Sequence, residues 1–142
     1  MTNFLRIALA VLLLVVGLGA VPAGLAMILA PDGSKVGMTP DLLGDSLFGS
    51  FLIPGIVLFA VNGLANLGAA TLLFRKHPKA WLAGLGLGLF LCGWIFVQAG
   101  VIGWVFILQP LFLGVGILEV ILSVWLFRRN AYLEGNQTHP EP

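Results

Sequence analysis

Charge is what this sequence has least of. Only 9% of its 142 residues are Asp, Glu, Lys or Arg and 59% are apolar, whereas about a quarter of a soluble chain is charged. A formal net charge of +1 offers no field for nucleic acid. With Cys92 as the sole cysteine, an intramolecular disulfide, a CxxC redox pair and a cysteine-based zinc site are all excluded. Histidine is confined to His77, in a basic turn, and His139, in the tail. The apolar runs therefore hold no His, no Asp and no second carboxylate for paired acid–base work. No HExxH, nucleophile elbow or cofactor fingerprint is present, so neither an enzyme, a metal nor a cofactor is expected.

What is there is four long apolar runs, and they predict an all-α polytopic membrane protein: one four-helix transmembrane domain over residues 1–129, followed by a mobile polar tail at 130–142. The predicted spans are 4–29, 51–74, 80–102 and 110–127. The first is too long for the roughly 7–15-residue core of a signal peptide and reads as retained. The last has about 18 residues, which at 1.5 Å each reach roughly 27 Å, just enough to cross hydrocarbon. Pro110 is an allowed first helical position.

The loop at 31–49 is the one sizeable hydrophilic connection. Pro31-Asp32-Gly33 is a turn signal. Thr39-Pro40-Asp41 reads as an N-cap, a first-turn proline and a first-turn acid, predicting a short interfacial helix that turns Leu42, Leu43, Leu47 and Phe48 toward lipid or bundle. Asp32, Asp41 and Asp45 match no calcium-loop spacing and read as caps and turns.

Arg6, the Arg75–Lys79 cluster and Arg128-Arg129 fall on one side of the predicted bundle, and only Lys35 falls on the other. The positive-inside rule then places both termini in the cytoplasm. Gly84 and Gly88 form a small-residue pair suited to close helix contact, in this chain or with a second copy. The expected partners are membrane lipids, together with a homodimer mate or a larger membrane complex.

The candidate site follows from one residue. Glu119 is the only charged side chain in the interior of an apolar run, and a carboxyl at mid-membrane depth costs several kcal/mol unless it is paired or protonated, so it marks function by default. Phe112, Gly116, Glu119, Ser123 and Leu126 recur at alternating steps of four and three and share one face. The same steps on the second span collect Gly55, Phe59, Asn62, Asn66 and Ala69. Depth counting predicts Asn62 level with Glu119 and in contact with it, with Asn66 and Ser123 one turn below. Such a set would hold a proton, a cation or a small amphipathic ligand. The alternative is an accessory or structural subunit whose polar stripe only fixes helix register. Trp94, Gln98 and Gln109 form a second, weaker candidate, an outward-facing pocket.

The segments PDGS and GMTPDLL in the loop, FLIPG and NGLANLGAA in the second span, HPKA at the turn, GWIFVQ in the third and LQP with a later Glu in the fourth resemble a group of small four-span bacterial inner-membrane proteins. The resemblance implies the organisation above and a place in the inner membrane, and no activity. A looser similarity in size and span number links the chain to DoxX-like proteins and to the small multidrug resistance transporters. The latter carry their essential carboxylate in the first span, where this chain has none.

Overall fold

The computed structural model describes residues 2–44 and 48–138, and among them every regular element is helical. Four helices are long and apolar enough to cross a membrane: α1 (Thr2–Leu29), α2 (Leu52–Phe74), α3 (Ala80–Ile102) and α4 (Leu108–Thr138). Their apolar surface runs all the way round. On α1 Leu5, Leu9, Leu13, Val16 and Ala20 are buried, while Ile7, Val11, Val15, Leu18 and Leu25 on the opposite face are exposed. A helix apolar on every side suits apolar surroundings. Pro22 lies inside α1 without ending it.

The connections are closed by local hydrogen bonds. After α2, Lys76 takes a left-handed φ of 60°. The His77 N–H then donates to the Leu72 carbonyl and the Lys76 N–H to the Leu73 carbonyl, both at 3.0 Å. This is the Schellman arrangement, with lysine where glycine is usual. The imidazole of His77 accepts the Lys79 N–H at 3.2 Å and so helps to start α3.

The loop at 31–49 holds two short 3-10 helices, Ser34–Val36 and Pro40–Leu43. The second lies where a short helix is expected, with Pro40 at its start and Asp41 in its first turn, but Thr39 makes no side-chain cap. Gly44, at φ 51°, ends the second turn after four residues. Leu43 is buried against Met27, Met38 and Phe51, with Leu42 and Phe48 packed beside them. Asp45 and Leu47 lie outside the described residues, as does His139. Asp32 accepts the Ser34 backbone N–H at 3.0 Å. That bond, helped by the Ser34 hydroxyl, holds the Asp32 carboxyl below its usual range.

The fourth helix also differs from its predicted span. It starts at Leu108 and continues past Arg128-Arg129 to Thr138, so residues 130–138 form its last turns. Hydropathy marks where an apolar surface stops. Ala131, Leu133 and Glu134 are good helix formers and carry the backbone pattern onward.

Packing sets the order of the helices. α1 packs along α2 and also against α4; α3 packs extensively on α4 and less on α2. Consequently α1 and α3 are diagonal, as are α2 and α4. Glycines make the two tight seams. A Cβ on Gly24 would lie 2.5 Å from the Phe59 backbone N, and one on Gly55 2.6 Å from the Met27 Cβ, joining α1 to α2. Gly84, Gly88 and Gly116 do the same between α3 and α4. The Gly84–Gly88 pair is thus occupied by a seam within the chain.

Candidate functional site

Both predicted polar stripes face inward. Asn62, Asn66, Glu119 and Ser123 are each 0% exposed, and Gly55, Ala69, Gly116 and Leu126 on the same faces are buried as well.

Their levels can be counted along α1, which touches both α2 and α4. A Cβ on Gly84 would meet the Ser123 Oγ at 2.7 Å and the Leu9 Cδ2 at 2.9 Å, so Ser123 is level with Leu9. Glu119, one turn outward, is then about level with Leu13. On the other seam a Cβ on Gly63 would meet the Val21 N at 3.3 Å, and one on Gly17 would meet the Gly63 carbonyl oxygen at 3.1 Å. Gly63 therefore lies between Gly17 and Val21, which places Asn66 near the level of Val16 and Asn62 near Ala20. The four polar residues descend as a stair, Asn62, Asn66, Glu119, Ser123, with steps of about one helical turn, roughly 5 Å.

This corrects the predicted pairing. Asn62 is not level with Glu119 and is not hydrogen-bonded to it: both Asn62 amide atoms and both Glu119 carboxyl oxygens lack a partner among the described residues. Two causes combine. The helices that carry them are diagonal, and residues Leu58–Ala65 of α2 are wound as a π-helix, which changes the register that 3.6-residue counting assumes. Asn66 supports that wide winding by donating its Nδ2 to the Val61 carbonyl at 3.1 Å.

Beyond that bond the set is unsatisfied. Asn62 Nδ2 and Oδ1, Asn66 Oδ1, Glu119 Oε1 and Oε2, and Ser123 Oγ have no hydrogen-bond partner among the described residues. Five of these six atoms are oxygens. Each buried polar atom left unpaired costs about 1–3 kcal/mol, so together they rival the net stability of a small domain, about 5–15 kcal/mol. An oxygen-rich set of this kind can receive a proton, a cation or a hydrogen-bond donor, and is poorly suited to an anion. No basic side chain stands at this level, since the Lys and Arg residues all lie at or beyond the ends of the apolar runs. Among the described residues no group of three His, Cys, Asp or Glu side chains could hold a metal.

Apolar layers bound the stair. Beside Ser123 and beyond it, toward the N-terminus of α1, lies a core drawn from all four helices, including Leu5, Leu9, Leu73, Ala80 and Leu126. Toward the 31–49 loop lies a partly open cavity of about 360 Å³, which begins at the level of Val16 and Leu91, overlaps Asn66 and Asn62 in depth, and ends at Val36 and Met38 of the loop. Glu119 sits about one turn beneath the Val16 end. None of the four polar residues lines this cavity or the smaller one, of about 40 Å³, under the outer loop.

The second candidate set is brought together, with one change of role. Trp94, Gln98 and Gln109 all line the larger cavity. Gln109, however, is fully engaged: its Oε1 accepts the Val105 and Phe106 N–H groups, both at 2.9 Å, and its Nε2 donates to the Gly103 carbonyl at 3.0 Å. It is the internal cap of the α3–α4 connection. Sequence reading missed this use, although an uncharged loop followed by one amide side chain was a usable signal. It also missed Ala20, Leu91 and Phe112 as lining residues, because apolar residues carry no mark of a cavity. No protein-family model matches this chain, and no curated protein or solved structure proved significantly similar to it.

Proposed function

We propose that this chain is a multi-pass inner-membrane protein of bacterial type that binds, and in doing so transports, a proton or small cation through its buried Glu119 stair. The observation that carries the reading is the set of six unpartnered buried polar atoms, five of them oxygens, strung along the stair with one carboxyl and no basic side chain among them. A carboxyl in that position either carries the proton itself or holds a cation, and exchange of one for the other is the elementary step of coupled transport. The asymmetry of Lys and Arg supports cytoplasmic termini. The inner apolar core and the outer cavity fit a state in which the outward side is the more open.

The test uses purified protein in liposomes loaded with a pH-sensitive dye. An imposed sodium or potassium gradient is expected to drive proton movement with the wild type and not with Glu119→Gln. Equal flux from the two proteins overturns the reading.

A second reading, an accessory subunit whose polar residues only fix helix register, is favoured by one observation: none of the four side chains lines either cavity. It predicts co-purification with a larger complex. Flux by the isolated protein excludes it.

A further inference from the structure

The cavity in the outer half of the bundle is separate from the Glu119 stair and has a chemistry of its own. It is enclosed by α1, α3, α4, Leu58 of α2 and the 31–49 loop, and among the described residues no charged side chain lines it. Its volume, about 360 Å³, lies within the usual range for small-molecule pockets, about 300–1,000 Å³. The lining is apolar except for Gln109, whose amide is spent on the loop, and for Trp94 and Gln98. These last two make no side-chain hydrogen bond with the described residues. The Trp94 ring is instead stacked on Phe90, with centroids 6.5 Å apart and planes 16° from parallel. An indole N–H donor and a primary amide thus remain available in an otherwise apolar chamber.

The mouth shows what can enter. Gly19, Phe106 and Leu108 line the cavity and are also exposed. They lie among the outward-facing apolar residues Val15, Leu18, Ile107 and Leu111. On the membrane reading, this mouth opens sideways into the apolar phase. An ion would gain nothing there, because no charge compensates its desolvation. A neutral amphipath from the bilayer would leave its chain in the chamber and give an acceptor and a hydroxyl to Trp94 and Gln98.

We propose that this cavity is a binding site for a neutral, single-chain amphipathic lipid with a carbonyl or hydroxyl head, entered laterally past Gly19. Gly19 provides a blocking variant, because a Cβ built there has nothing within 4 Å, so a larger side chain leaves the helix without displacing a neighbour at its base, and replacing a helical glycine removes its entropic cost.

The experiment uses full-length protein in nanodiscs containing a monoacylglycerol with a diazirine in its chain, followed by peptide mapping. Labelling is expected in the Val16–Ala23 and Leu91–Gln98 segments, competed by unlabelled monoacylglycerol, and lost in Gly19→Trp. Labelling around Leu64 and Leu82, on other faces, should not change. Trp94→Phe and Gln98→Leu should each raise the monoacylglycerol concentration needed for competition about fivefold, the effect of one hydrogen bond, while competition by hexadecane stays the same. Label no denser in the lining than on the other faces, or unaffected by Gly19→Trp, overturns the proposal. So does a monoacylglycerol competition that neither variant changes. Failure of the membrane reading is seen separately, as protein that does not co-elute with the discs.

Discussion

Gly88 and Glu119 meet with no room for a methyl group between them: a Cβ on Gly88 would lie 2.9 Å from the Glu119 Cβ and 3.0 Å from the Gly116 carbonyl oxygen. Because the second obstacle is backbone, the seam cannot yield by a rotamer change. Gly88→Ala should destabilise the bundle by about 1–3 kcal/mol, the usual cost of overpacking. Gly86→Ala, where a Cβ meets nothing within 4 Å, should be neutral or stabilising by about 0.5–1 kcal/mol. Thermal unfolding of the two variants in one detergent makes the comparison, and equal melting temperatures would contradict the α3–α4 seam.

The boundaries of the first three helices and the inward faces were legible in the sequence for a simple reason. Charged or proline-bearing turns, such as Arg75–Lys79, interrupt apolar runs, and polar residues at steps of three and four must share a face. The Asn62–Glu119 pairing was not legible, because it depended on helix order and on uniform winding. Nothing in LFAVNGLA announces a π-helix, and glycines 84 and 88 have the same spacing whether they meet α4 or a second chain. The length of α4 was hidden too, since the end of an apolar run is not the end of a backbone hydrogen-bond pattern.

Gln109 should prove structural. Its three hydrogen bonds organise the Gly103–Ile107 connection, and a buried, 2% exposed amide leaves backbone groups unpaired when it is removed. Gln109→Leu should cost about 2–3 kcal/mol, read by chemical unfolding, and should speed amide exchange at Val105 and Phe106 more than elsewhere. Unchanged exchange at those two amides would refute this role.

Asn62 separates a merely buried amide from one that takes part in binding. If nothing pairs with it, Asn62→Leu removes two unsatisfied atoms and should stabilise the fold by about 1–2 kcal/mol. On the proposed function the same change weakens cation-driven proton movement, so stability and flux move in opposite directions. A variant that loses both has only been damaged in its packing.

Asp32 predicts an acid-sensitive loop. Its carboxyl titrates lower in the folded protein than its ordinary 3.8 because the ionised form accepts the Ser34 N–H. The stabilisation of the turn is therefore fully present above that ordinary value and is lost as pH falls through the lowered one. Hydrogen exchange at the Ser34 amide, corrected for its intrinsic pH dependence, should lose protection in that window. In Asp32→Ala the protection should be low and flat across it. A wild-type profile as flat as the variant's would contradict the assignment.

On the proposed function, Glu119 exchanges its proton for a cation. Infrared difference spectroscopy of the protein in lipid, comparing added sodium or potassium with none, tests it most directly. Proton exchange at Glu119 requires a carboxylic-acid carbonyl band that weakens as the cation is added while a carboxylate band grows, with both changes absent from Glu119→Gln. A wild-type difference spectrum identical to that of Glu119→Gln would contradict it.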